Sequence, residues 1–144
     1  MDIENEIITV VMKAFKENKD FKDIPIISDS DITPTTFPCI YFYQADSYDS
    51  SDKHTASREE KGNIVLFEVF VYSNTANKAK SECKNIFKVL NDVMRIEGFH
   101  KMTETPLTPQ ANTVKAIRFA RYKAEASADT YMDGKQKRHY IYYV

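Results

Sequence analysis

Three histidines, two cysteines and three glycines bound the chemistry that this chain can write. His54, His100 and His139 fall in one loop and two different strand-like runs. They form no HExxH and no paired His/Cys set, so no metal ligand is assigned. Cys39 and Cys83 have no CxxC or metal spacing and read as two free, buried thiols. Either could be drawn with a distant histidine as a dyad, but any chain holding both residue types passes that test. Gly62, Gly98 and Gly134 are far apart, whereas a phosphate-cradling loop needs glycines close together. No serine sits in a GxSxG turn. The residues thus nominate no catalytic and no cofactor-binding group.

Glu68 is the residue that elementary physics singles out. It interrupts an apolar strand, where an unpaired carboxylate is expensive. It could be a general base with a raised pKa. It could equally pair with Arg118 or Arg121, or meet a neighbouring subunit, and structural ion pairs explain such carboxylates more often. Two other charged stretches stand out. Residues 46–62, with Asp46, Tyr48, Asp49, Asp52, Lys53, Arg58, Glu59 and Glu60, are polar and aperiodic, and read as a protruding loop or arm. Connections of that length either bind a partner or carry no fixed structure. Lys135, Lys137 and Arg138 could touch phosphate, but beside a hairpin turn they read as a solvated tip.

The chain must supply elements to position these residues. Its 144 residues suit a single domain with a core large enough to need no disulfide or metal. Composition (42% hydrophobic, 28% charged) is that of a globular protein. Lys and Arg number 20 against 21 Asp and Glu, which argues against a dedicated nucleic-acid binder. Nine Tyr and nine Phe fall mostly in strand-like runs. The acidic start, Met1 to Glu6, lacks the basic region of a signal peptide, and no apolar run is long enough to span a bilayer, so a cytoplasmic setting is expected.

Ile3, Ile7, Val11 and Phe15 recur at helical period and predict a helix over residues 2–18. A short strand is expected over 25–28 and an aromatic, β-branched one over 37–44. Residues 63–73 form the strongest strand, with Val65, Phe67, Val69 and Val71 on one face and Ile64, Leu66, Phe70 and Tyr72 on the other. Apolar residues on both faces require cover on both, from the chain itself or from another subunit. A second helix is expected over 75–96, capped by Asn74 or Thr75 and ended by Gly98. Strands over 99–105, 114–127 and 136–144 follow, the last two joined through Asp133-Gly134. The prediction is an α+β fold in the order α-β-β-(long loop)-β-α-β-β-β, whose antiparallel or mixed sheet of about five to six strands has two helices packed on one face.

Several stretches carry a family resemblance. Phe67-Glu68-Val69-Phe70-Val71-Tyr72-Ser73-Asn74 leads into a helix with Ala79-Lys80-Ser81-Glu82-Cys83, and then to Asp92-Val93-Met94 and Gly98-Phe99. Phe37-Pro38-Cys39-Ile40 precedes them; Arg118-Phe119-Ala120-Arg121-Tyr122 and Tyr140-Ile141-Tyr142 follow. Nearly the whole chain resembles the tail-terminator, or tail-completion, proteins of tailed phages and prophages, often labelled minor capsid or head–tail joining proteins. The resemblance implies a structural subunit of the virion tail, assembled in the bacterial cytoplasm, with no cofactor and no catalysis. It implies a homo-oligomeric ring, usually six-fold, that caps the tail tube, ends its polymerisation and meets the head–tail connector. DNA would pass through without sequence-specific contact. Glu68, Phe70, Tyr72, Arg118 and Arg121 then become candidate subunit-interface residues, and the 46–62 stretch a candidate partner-binding loop. The competing expectation is a small ligand-binding or enzymatic module on a ferredoxin-like sheet, with a pocket near Glu68. RNA binding through Tyr41, Tyr43 and Tyr72 is disfavoured by the near-zero net charge.

Overall fold

A computed structural model describes residues 2–28, 36–49, 63–110, 113–130 and 136–141, with backbone alone for 49, 127–130 and 136–141. Two helices, α1 (Glu4–Lys16) and α2 (Ala79–Ile96), pack on a six-stranded mixed sheet. The strands are β1 (Ile26–Ile27), β2 (Cys39–Asp49), β3 (Asn63–Ser73), β4 (His100–Leu107), β5 (Ala116–Thr130) and β6 (Gln136–Ile141). Their order across the sheet is β1-β2-β3-β5-β4, with β6 also pairing β5. Among the described residues only the β1–β2 pairing is parallel. The α+β class and two-helix, one-face arrangement agree with the sequence patterning; the element order agrees roughly.

Alternation along β3 and β5 decides where the core lies. Val65, Phe67 and Val69 of β3 lie beside Ala124, Tyr122 and Ala120 of β5, and all are buried, as are Val71 and Ala126. Small alanines on β5 leave room for Ile86, Phe87, Leu90 and Met94 of α2, while Ile7, Val11 and Phe15 of α1 cover Ile40 and Phe42 of β2. Phe67 sits between Phe42 and Phe99, with ring centroids 5.3 and 5.4 Å away. Each such ring withdrawn from water stabilises the fold by roughly 1.5–3 kcal/mol.

Three of the boundaries that differ from the sequence expectation have a local cause. First, β2 continues to Asp49 where polar, aperiodic residues predicted a loop. A bulge between Gln44 and Asp46 resets the register, and backbone pairing with β3 carries Asp46, Ser47, Tyr48 and Asp49 along opposite Leu66, Val65, Ile64 and Asn63. The Ile3 N–H also donates to the Gln44 side chain (2.9 Å), tying the start of α1 to the bulge. Second, α2 begins at Ala79, not at residue 75, and neither Asn74 nor Thr75 caps it. A turn closed by the Lys78 N–H on the Thr75 carbonyl, with Asn77 left-handed at φ 63°, delays the helix by one turn. Third, β4 runs through Pro106 to Leu107, because on an edge strand a missing N–H need leave no ladder bond unmade. Gly98 does end α2 as expected: its φ of 96° is the left-handed form glycine adopts without a Cβ penalty, and the Phe99 N–H returns to the Met94 carbonyl. Among the described residues no helix is long and apolar enough to cross a membrane.

Candidate functional site

The sheet face turned away from both helices gathers the residues most unusual for a small domain. Register puts Cys39, Tyr41 and Tyr43 of β2 beside Tyr72, Phe70 and Glu68 of β3, and these beside Ile117, Phe119 and Arg121 of β5. Phe70 is the centre. Its ring lies 4.9 Å from Phe119, 6.3 Å from Tyr43 and 6.4 Å from Tyr72. Tyr41 meets Tyr72 edge-on at 5.6 Å. Cross-strand aromatic neighbours of this kind stiffen a sheet. Neither helix adds a residue to this face; Cys39, Tyr41 and Ile64 are buried yet lie outside the core cluster under the helices. Tyr43, Phe70, Tyr72 and Phe119 are half-buried.

Glu68 is satisfied within this aromatic field. Arg121 Nη2 and Nε donate to its Oε2 at 2.6 and 3.1 Å, and the Tyr43 hydroxyl donates to Oε1 at 2.9 Å. The Arg121 guanidinium also lies 5.8 Å from the centre of the Phe119 ring. Burial, reinforced by the Glu68 hydrogen bond, pushes the Tyr43 hydroxyl up to about 12, so at neutral pH it stays a proton donor to the carboxylate. Burial also raises Tyr72, with help from Tyr41 and Cys39. A guanidinium fork and a phenol together fix the position of this carboxylate. Of the two arginines considered for Glu68, the pairing belongs to Arg121.

Arg118 lies on the opposite face. Its Nε donates to Glu104 Oε2 at 2.6 Å, beneath α2. Glu104 also accepts from Asn91 Nδ2 (2.9 Å) and Lys101 Nζ (3.0 Å), and the Tyr122 hydroxyl donates to Asn91 Oδ1 at 2.5 Å. Burial alone would raise the Glu104 carboxyl, but hydrogen bonds from Asn91, Arg118 and Lys101 outweigh it and hold it below the ordinary carboxylate value. The sequence patterning does not predict this junction of α2, β4 and β5. Its only sequence signal is an arginine and a tyrosine in register with alanines on one strand face. Arg118 is thus separated from Glu68, Phe70, Tyr72 and Arg121 by the thickness of the sheet.

Of the 46–62 stretch, Asp46 and Tyr48 are exposed strand residues and Asp49 ends β2. Tyr48 and Asp46 stand opposite Ile64 and Leu66, which continues the aromatic face toward the end of the hairpin. Asp52, Lys53, Arg58, Glu59 and Glu60 lie outside the described residues, as do His54 and Lys135; only the backbone is described at Lys137, Arg138 and His139. Both cysteines are free and buried, as expected from the sequence, and burial pushes each thiol up to about 11. They are therefore protonated and unreactive at neutral pH. No protein-family model matches the chain, and no curated protein matches it significantly.

Proposed function

We propose that the chain is a structural assembly protein of a tailed phage or prophage, a tail terminator that forms a ring on the tail tube, ends its growth and joins it to the head. The observation that carries this reading is the aromatic face around Phe70, which neither helix roofs. A domain with one helical layer leaves its second sheet face to be covered from outside, and a head-to-tail contact that closes by rotation makes a ring. The same face holds Glu68, Phe70, Tyr72 and Arg121 of the expected interface, and the residues quoted for the family resemblance include all four. Arg118, which pairs with Glu104 on the other face, has less behind it as an interface residue. The edge strand β4 is a poorer candidate for contact between copies: its bulge, its Lys101 and its Pro106 are devices that discourage strand addition. A ligand pocket over Glu68 has less behind it, since both carboxylate oxygens already accept hydrogen bonds.

Mass in solution tests the reading, measured by light scattering for the chain alone and with the tail-tube protein of the same phage. Concentration-dependent ring formation, or a complex with the tube protein, is expected, and Phe70→Asp should abolish it. A stable monomer that ignores the tube protein at all concentrations would overturn it.

A further inference from the structure

The end of the molecule where α2 begins carries a second feature, independent of the aromatic face. Lys80, Lys84 and Lys115 converge on one cavity of about 430 Å³, whose wall is completed by Thr75, Asn77 and the first turn of α2. Lys80 and Lys84 also line an adjoining cavity of about 330 Å³ that reaches Arg118. Among the described residues no Asp or Glu lines either one.

What sets this place apart is that three lysines line one space together, with no acidic residue beside them among the described residues. Lys101, Arg95, Arg118 and Arg121 each have a carboxylate within 4 Å. Among the described residues Lys80, Lys84 and Lys115 have none. Lys80 and Lys84 stand one helical turn apart on α2, a like-charge spacing that costs a few tenths of a kcal/mol. Lys115 is brought to them from the other side by its backbone N–H on the Ser73 carbonyl (3.0 Å), a bond between the end of β3 and the start of β5. The nearest carboxylate on the helix, Glu82, is drawn away: it accepts from the Ser73 and Thr75 hydroxyls at 2.7 and 2.9 Å and lines a different cavity, with Phe37 and Lys22. Glu104 is likewise spent on Arg118. Three lysines thus line one open space, while Glu82 and Glu104 are engaged elsewhere. The free N–H groups of the α2 first turn, which has no side-chain cap, add to the same positive potential.

We infer that this cavity binds a phosphate-bearing anion, with Lys80, Lys84 and Lys115 as its ligands. Three separate point charges suit a group that offers oxygens in several directions, whereas a planar carboxylate is best met by an arginine fork. A free di- or polyphosphate and the phosphodiester backbone of DNA share this chemistry.

Two probes separate these sources: inorganic pyrophosphate, followed by 31P NMR, and a short fluorescently labelled duplex DNA, followed by anisotropy over a salt series. Wild-type protein is expected to bind at least one. The triple variant Lys80→Gln, Lys84→Gln, Lys115→Gln should weaken that binding by about tenfold or more, since each lost phosphate contact removes close to one counterion from the salt dependence. A control with Lys13→Gln, Lys16→Gln and Lys19→Gln on and just after α1 should bind as wild type does. Pyrophosphate binding without DNA binding assigns the site to a small anion; DNA binding with a log–log salt slope near about −3 assigns it to nucleic-acid backbone. Failure of both probes to bind, or equal binding by the two triple variants, would overturn the inference. Oligomer mass plays no part in these readouts, so they stand or fall apart from the assembly reading.

Discussion

Arg118 and Arg121 sit three residues apart on one strand and face opposite ways, each with a glutamate. The Arg118–Glu104 pair is 18% and 13% exposed and shares its carboxylate with α2 and β4. The Arg121–Glu68 pair is 42% and 16% exposed and shares its carboxylate only with Tyr43 on the next strand. One pair joins layers; the other decorates a single layer. The same division runs through β3, where Phe67 is enclosed and Phe70, three residues on, is half-buried among rings with no helix above it. A residue's type says little about its task here; the face it occupies says most.

The sharpest break of this comparison sets Phe67→Ala against Phe70→Ala. Emptying the space between Phe42 and Phe99 should cost about 3–5 kcal/mol, read as a lowered denaturant midpoint at constant slope. Phe70→Ala should cost no more than about 1.5 kcal/mol in the dissociated chain, because it forfeits ring contacts without opening a sealed cavity. Equal losses at the two positions would mean that the face around Phe70 is already a closed core within one subunit, and the case for an external cover would fail.

Next in size is Glu104→Gln. The amide keeps the shape but leaves Arg118, mostly buried, without its counter-charge, which should cost about 1–3 kcal/mol. Its pH signature has a definite sign. The folded-state pKa of Glu104 lies below its ordinary 4.5, so its contribution is present above that value and is lost as pH falls through the folded pKa. Urea melts should therefore show wild-type stability falling below about pH 4.5, with a shallower fall in Glu104→Gln. An unchanged slope would show that Glu104 does not carry the acid limb.

The thiols test whether both faces exclude water. Cys39 lies on the aromatic face and Cys83 on the side of α2 turned to the sheet, where its thiol approaches the Val71 carbonyl at 3.6 Å. Burial raises each from 9.0 to about 11. For a group whose folded pKa is raised, stability is intact below the unfolded value and drains away as pH rises toward the folded one, by about 1 kcal/mol per thiol near pH 10. Cys39→Ala and Cys83→Ala should each flatten that alkaline fall. If only Cys83→Ala does so, the aromatic face admits water at Cys39.

These contrasts also show what a sequence states and what it withholds. Period-two alternation in Asn63–Ser73 and period-four recurrence of Ile7, Val11 and Phe15 were legible because each repeats one preference several times. The face around Phe70 was legible for the same reason, and so was Gly98, since one residue type does one job there. The extension of β2 to Asp49 was hidden because its polar residues gain their strand conformation from pairing with Asn63–Leu66, not from their own propensities. The Glu104 junction was hidden because it needs residues from three elements whose adjacency only the sheet order creates. Glu68 stood out as an anomaly in its strand, but its partner was one of two candidates until register placed Arg121 directly across.

The smallest stability effect, and the one that separates stability from assembly most cleanly, belongs to that last pair. Arg121 is exposed enough for water to screen it, so Glu68→Gln or Arg121→Gln should each cost less than about 1 kcal/mol, with a coupling in the double variant that shrinks as salt is added. In an assembled ring the pair would be withdrawn from water, and a lone charge left there is far more costly than the same charge on a free surface. Arg121→Gln, which strands the Glu68 carboxylate, should therefore weaken ring formation well beyond its effect on the isolated fold, and the double variant should recover part of the loss. If light scattering finds the ring unchanged in Arg121→Gln, or unchanged on outright charge reversal with Arg121→Glu, the pair lies away from the contact, and the interface narrows to the rings around Phe70.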